Sequence, residues 1–158
     1  MEILLGVDSR AGPDLDDGFG SMIETFPNNS QGAAEIGLRA FDRSRFDHIG
    51  LVTDEVKDGE SFVAATRVWV TSPRAGGCNV EWLRFEHDTP ITGLLRTAPH
   101  VAYRVHDLDA AIAGHTVLAE PFDPTGRDDD FLRVAFVEVD GAVIELMEYG
   151  DPDETGWF

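Results

Sequence analysis

The region from Phe46 to Tyr149 is built from two similar halves, and this duplication constrains the fold more than any other feature of the sequence. The segments FDHIGLVTDE and PHVAYRVHDL each place a histidine near the start of an apolar strand and an acidic residue after it. The segments NVEWLRFE and AVIELMEY each place a glutamate inside a strand between apolar neighbours. Each half runs from a histidine strand to a glutamate strand, which predicts two related β-rich modules.

Short runs of β-branched and aromatic residues predict seven strands from residue 46 onward. These runs are FDHIGLVT, TRVWVT, NVEWLRFE, HVAYRV, HTVLAEPF, LRVAFVEV and AVIELMEY. One helix, LDAAIAG, interrupts them, with Asp107 placed to cap its start. The order predicts two βαβββ-like modules, of which the first is abbreviated because DEVKDGESFVAA has no amphipathic pattern and its helix is expected to be missing.

The domain organisation that we predict has three parts. Residues 1–45 form an N-terminal extension, mostly loop, with a candidate strand MEILLGVD and a candidate helix from Gln31 to Phe41. We expect this extension to cover the sheet face that the missing helix leaves open. Residues 46–150 form the main domain, with modules at about 46–90 and 99–150, and residues 151–158 form an acidic tail.

Composition excludes several classes of partner. The formal charge of −18 disfavours binding to nucleic acid or to an anionic membrane, because phosphate groups would be repelled. Cys78 is the only cysteine, so an internal disulfide and a thiol-rich zinc site are both excluded. With no targeting segment visible at the N-terminus, we expect a cytoplasmic protein.

The duplicated strands supply a candidate metal site, made of His48, Glu81, His100 and Glu145. Two imidazoles and two carboxylates suit one borderline divalent ion such as Zn²⁺, Ni²⁺, Co²⁺, Fe²⁺ or Mn²⁺. A lone His or Glu in a strand is more often structural than a ligand, but the paired recurrence favours a metal. Glu86 lies in the same strand as Glu81, and alternation lets only one of the two point inward.

These motifs resemble the vicinal-oxygen-chelate superfamily, and within it the branch of glyoxalase I and methylmalonyl-CoA epimerase. The stretches that carry the resemblance are FDHIGLVT, PHVAYRVHDLDAA and RVAFVEVDGAVIELMEY. The resemblance implies an α+β fold of the glyoxalase/bleomycin-resistance type, in which paired βαβββ modules form a mixed sheet that curls around one metal ion. The ligands it implies are His, Glu or Gln, His and Glu, which fall here on the four residues named above.

The resemblance also implies a metal-dependent isomerase, epimerase or lyase that acts on a small carbonyl or 2-oxo compound. The ion would stabilise the enolate formed when the α-proton leaves. Proton transfer is assigned to Glu145 or Glu81. Arg104, Tyr149 and Trp82 are our candidate substrate-binding residues, and we expect a small-molecule substrate and a homodimer.

Two other functions remain open for such a fold. An extradiol-type dioxygenase would hold Fe²⁺ with two His and one Glu and leave positions open for oxygen, whereas Glu81 would fill one of these positions. A non-catalytic protein of the antibiotic-sequestering type would instead use an aromatic-lined groove, for which Trp69, Trp82 and Phe85 are candidates. Retention of all four ligand types favours the enzyme.

Overall fold

The computed structural model describes residues 42, 45–127, 129–154 and 156. The strands in chain order are β1 (Phe46–Val52), β2 (Ser61–Val63), β3 (Val68–Val70), β4 (Val80–Phe85), β5 (His100–Arg104), β6 (Thr116–Phe122), β7 (Leu132–Val139) and β8 (Ala142–Tyr149). The helices are α1 (Leu94–Thr97) and α2 (Leu108–Ile112). The strand and helix predicted before residue 42 lie outside the described residues.

These eight strands form one mixed sheet in the order β2-β3-β4-β1-β5-β8-β7-β6. Each half has the same internal plan, since β1 pairs in parallel with β4 and β5 pairs in parallel with β8. The antiparallel pairing of β1 with β5 joins the two halves at the centre of the sheet. The sheet curls into a half-barrel, and the prediction of two paired modules is confirmed.

The first module is abbreviated, as predicted. Its outer strands β2 and β3 have three residues each, whereas β6 and β7 have seven and eight. Residues 53–60, between β1 and β2, contain no helix, while α2 occupies the matching place in the second module. The Asp107 side chain caps α2 by accepting a hydrogen bond from the Ala110 amide, as its position in the sequence predicted.

Two short elements were not predicted, because neither carries a usable sequence signal. Strand β2 has only three residues, of which Ser61 and Phe62 are exposed, so no alternation can be recognised. Helix α1 is a single turn that follows Gly93, and no side chain caps it. Periodicity and capping are the features that reveal a helix, and α1 has neither.

The two faces of the sheet bury different sets of residues. Leu108 of α2 packs against the outer face of β7 and β8, together with four apolar strand residues, Ala135, Val137, Ile144 and Leu146. The inner, concave face carries a second apolar cluster in the second module and a third in the first module. The concave face also carries buried charged residues, and these define the candidate site.

Candidate metal centre

Each of the four central strands contributes one buried histidine or glutamate to the concave face. In sheet order these are Glu81 on β4, His48 on β1, His100 on β5 and Glu145 on β8. One ligand atom from each residue lies within 4.8 Å of all the others. The structure therefore brings together the four residues that the sequence duplication singled out.

Small residues in the two central strands make room for these side chains. Gly50 of β1 pairs with Glu81 on one side and with His100 on the other. Ala102 of β5 occupies the equivalent position between the other two members of the group and is fully buried. A Cβ atom added at Gly50 would overlap the imidazole of His100, so glycine is required for this close approach.

The spacing of the four side chains fits a single ion. The Nε2 atoms of His48 and His100 are 3.3 Å apart. Glu145 Oε2 is 3.2 Å from the first of these nitrogens and 3.1 Å from the second, and Glu81 Oε2 is 3.4 and 3.8 Å from them. Ligand bonds of about 2.0–2.2 Å in tetrahedral or octahedral geometry place ligand atoms about 2.9–3.6 Å apart. Most of the observed separations fall within that range.

A second observation supports the fit. Glu145 Oε2 is buried and makes no hydrogen bond of acceptable geometry to any residue that the structure describes, although two imidazole nitrogens lie close to it. A buried carboxylate oxygen without a hydrogen bond is costly, and a cation placed among these atoms would satisfy it. The donor set of two nitrogens and two oxygens suits a divalent transition metal, whose identity the ligands do not fix.

Behind the group, a buried carboxylate that the sequence did not reveal orients one of the histidines. Asp47 is 2% exposed, and its Oδ1 lies 2.9 Å from His48 Nδ1. Its Oδ2 accepts hydrogen bonds of 2.7 Å from both Arg74 and Arg104. An ionised carboxylate can only accept, so Nδ1 carries a proton and Nε2 faces the ion position. This is the carboxylate–histidine arrangement typical of metal ligands.

Contacts among these buried side chains decide their pKa values, against the opposing effect of burial. Burial opposes the charged form of His48, but contacts with Asp47, Glu145 and Glu81 outweigh it and raise the pKa of His48 to about 12. Burial likewise opposes ionisation of Glu145, yet the nearby nitrogens of His100 and His48 lower its pKa to about 2. Hydrogen bonds from His48 and Arg104 overcome burial and hold the pKa of Asp47 well below its usual range. The metal-free group therefore holds a proton where an ion would bind.

The group opens onto a cavity in the curl of the sheet. Glu81, His100 and Glu145 line one end of it, and strands from both modules form its walls. Apart from these three side chains and Thr66, every described residue that lines the cavity is apolar. The arrangement therefore places potential metal ligands beside a mostly apolar space for a small molecule.

Comparisons with known proteins bear on the fold. By sequence, no protein-family profile and no curated protein matches the chain. Among solved structures it is similar to hypothetical protein BH1468 from Bacillus halodurans C-125, with a TM-score of 0.53 and 21% identity over 70% of this chain and 98% of that one. The chain has a vicinal-oxygen-chelate-like fold. Methylmalonyl-CoA epimerase from Mycobacterium tuberculosis gives a TM-score of 0.48 and 17% identity, over 74% of this chain and 96% of that one.

Within this vicinal-oxygen-chelate-like fold, two of the predicted substrate-binding residues lie at the wrong end of the concave face to reach the cavity. Arg104 and Tyr149 are each four positions beyond a member of the group, which is about 13 Å along a strand. The guanidinium of Arg104 stacks on the Tyr149 ring, donates to Asp47 and also donates to the Glu154 carbonyl. Both residues line a separate surface pocket instead.

Aromatic residues of the first module are divided between the two faces of the sheet. Trp82, the third predicted substrate-binding residue, alternates with Glu81 and lies on the outer face beneath the Lys57 ammonium. Trp69 also faces outward, where its indole donates to Glu86. Only Phe85 of the predicted aromatic groove lines the cavity. Because Glu86 is engaged by Trp69, Glu81 is the carboxylate of this strand that joins the group.

Among the described residues, no helix has the length and apolar character needed to cross a membrane.

Proposed function

We propose that the chain is a metal-dependent isomerase, epimerase or lyase that acts on a small carbonyl or 2-oxo compound. The observation that supports the proposal is the buried group of two histidines and two glutamates beside a mostly apolar cavity. A divalent ion bound there would act as a Lewis acid and stabilise negative charge that develops on a substrate oxygen. The fold and the ligand set together favour this reaction class over others.

Proton transfer is the task that we propose for the two glutamates. Glu81 and Glu145 stand on the two sides of the histidine pair, because their strands flank β1 and β5. A carboxylate that removes the α-proton from one side of a planar substrate, with a second carboxylate beyond the opposite side, supports isomerisation or epimerisation. The surrounding apolar walls exclude water and so favour return of the proton to carbon over loss to solvent.

One alternative has an observation in its favour. A protein that only binds and sequesters a small molecule would need the apolar cavity but not the four ligands, and the cavity is present. A dioxygenase is less favoured, because the Glu81 carboxylate stands where such an enzyme leaves a position open. The homodimer, the cytoplasmic location and the small-molecule partner that we expect from the sequence remain proposals.

Metal content decides between the enzyme and the sequestering protein. We expect a near-stoichiometric divalent metal in protein purified without added metal, and its loss in His100→Ala and Glu145→Ala. Matched controls are His106→Ala, an exposed histidine, and Glu148→Ala, on the outer face of β8 where it pairs with Arg133. Both controls should retain the metal.

Catalytic activity is then tested by following proton exchange at the α-carbon of candidate substrates. Ketones and 2-oxo acids are incubated with the metal-loaded protein in D₂O, and exchange of the α-protons is followed by NMR. Metal-dependent exchange that is lost in Glu145→Ala or Glu81→Ala is the expected result. A wild-type protein that is folded and binds no metal would overturn the proposal and favour the sequestering protein.

A further inference from the structure

The walls of the cavity beside the candidate metal centre are apolar except for Thr66. Val68, Val70, Leu83 and Phe85 come from the first module. Phe122, Val134 and Phe136 face them from the second module, and Ile91 and Leu95 come from the segment between the two modules. This lining has the character of a binding site for hydrocarbon rather than for a polar group.

Within residues 45–127 and 129–154, no basic side chain lines the cavity, and two of the cations near it are held on the outer face of the sheet. Arg84 alternates with the cavity-lining Leu83 and forms a double hydrogen bond with Glu60, at 3.0 and 2.6 Å. Lys57 lies over the outward-facing Trp82 and pairs with Glu55. Neither cation can reach a ligand in the cavity without giving up these partners.

The net charge expected at the metal centre also disfavours an anionic substrate. A divalent ion held by Glu81, Glu145 and two neutral imidazoles would carry no net formal charge. The chain as a whole is strongly acidic, at −18. An anionic substrate would therefore lose its hydration in the cavity and find no cation to pair with among the described lining residues, which makes its burial costly.

The cavity is narrow, with a volume of about 70 Å³, and its lining runs along the sheet away from the metal ligands. Glu81 and Phe85 both line it and are four residues apart on β4, which corresponds to about 13 Å. Phe85 pairs with Val68 at the start of β3, and the turn just before Val68 carries Thr66. The buried Thr66 hydroxyl has no hydrogen-bond partner among the described residues. In the part of the lining that the structure describes, it is the one polar side chain besides those of Glu81, His100 and Glu145.

We infer that the substrate is an uncharged and largely apolar molecule. Its oxygen donor lies at the end beside Glu81, His100 and Glu145, and its chain or ring lies between the apolar walls. The nature of the reacting oxygen rests on the proposed function, whereas the ligand class rests on the lining of the cavity. Acyl-CoA thioesters and substrates with a carboxylate on the tail are disfavoured.

Binding of n-alkyl hydroxamic acids of increasing chain length to zinc-loaded protein tests the inference by calorimetry. Their head group chelates a metal, and each methylene buried in the cavity should tighten binding about fourfold. A hydroxamic acid of equal length with a terminal carboxylate should bind at least about a hundredfold more weakly. The 1-alkanols, which need no metal, should show a chain-length dependence on the metal-free protein.

Two neighbouring leucines of α1 give a matched pair of variants. Leu95 lines the cavity, whereas Leu94 does not and is 39% exposed. Leu95→Lys should weaken binding of the long alkyl hydroxamic acid about tenfold or more and strengthen binding of the carboxylate-tailed probe. Leu94→Lys should leave both affinities unchanged. Circular dichroism checks that each variant remains folded.

The failure of this inference is distinguishable from the failure of the proposed function. Affinities that do not depend on chain length, or a carboxylate-tailed probe that binds as tightly as the alkyl one, would overturn the ligand class even if metal-dependent proton exchange is observed. Chain-length-dependent binding in a protein that exchanges no α-protons would overturn the enzyme and leave the ligand class standing.

Discussion

Replacement of Asp47 by asparagine tests whether this buried carboxylate prepares His48 to bind a metal. The Asp47 carboxylate accepts from Nδ1 of His48 at 2.9 Å and so leaves Nε2 as the ligand atom. Its other oxygen is held by Arg74 and Arg104, which fix the carboxylate from the side opposite the histidine. The Asp47→Asn side chain would keep an oxygen acceptor of the same shape but lose the negative charge.

The expected loss follows from what each substitution removes. Loss of such a partner typically costs about 10–100-fold in metal affinity, or about 1.4–2.7 kcal/mol. We expect Asp47→Asn near the lower end, because the hydrogen bond to His48 can be kept. Asp47→Ala should lie near the upper end and should also destabilise the fold by about 1–3 kcal/mol, because the buried Nδ1–H loses its acceptor.

The assay is competition for zinc with a chromogenic chelator, at one pH and one ionic strength. Asp109→Asn is the matched control, because Asp109 also pairs with an arginine, Arg133, but its side chain is 72% exposed and lies on the outer face. The control should bind zinc as the wild type does. If Asp47→Asn and Asp109→Asn give the same zinc affinity as the wild type, while both remain folded, then Asp47 does not support the metal site and the reasoning is refuted.

Three further perturbations test other parts of the site. Burial opposes the charged form of His48, but contacts with carboxylates raise its pKa to about 12, so a metal must displace the proton of this histidine. Zinc affinity should therefore rise about tenfold per pH unit between about pH 6 and 8, and an affinity that does not change with pH in chelator competition would contradict this. Gly50→Ala should lower zinc affinity more than about a hundredfold, because its Cβ would overlap an imidazole of the group, whereas Gly76→Ala meets only an ordinary contact and should have no effect. Thr66→Val removes a buried hydroxyl without a partner among the described residues and should raise the melting temperature by about 2–4 °C. Thr89→Val removes a hydroxyl that donates to a backbone carbonyl and should lower the melting temperature, so equal shifts in calorimetry would contradict the different roles assigned to these two hydroxyls.

The sequence predicted the two-module fold and the four residues that the structure brings together, because duplication encodes both. A histidine and a glutamate recur at matching places in the strands of each half, and matching strands occupy equivalent positions on either side of the β1–β5 pairing. Residues at matching positions in the two halves lie close together, because the halves are arranged around one central axis. The convergence of His48, Glu81, His100 and Glu145 therefore follows from the order of the strands and needs no knowledge of loops.

Strand alternation was less informative about Arg104, Tyr149 and Asp47. Alternation correctly placed Arg104 on the face of His100, but it gives no distance along the strand, and four residues take Arg104 out of reach of the cavity. Asp47 lies beside a register shift between Phe46 and His48, where simple alternation fails. Its two arginine partners are 27 and 57 residues away in sequence, so nothing local indicates that this carboxylate is buried.

The cavity could not be predicted because its walls have the sequence of an ordinary core. The alternate apolar residues of β3, β4 and β7 indicate one buried face for each strand, and in a flat sheet such rows would pack against a helix or a second sheet. In this fold the sheet curls, so β3 and β4 of one module face β6 and β7 of the other across the metal ligands. The same rows then line a cavity instead of packing against another protein layer. For this reason the sequence directed the search for substrate contacts to polar and aromatic residues such as Arg104 and Trp82, whereas the structure points to aliphatic residues whose only signal is their alternation.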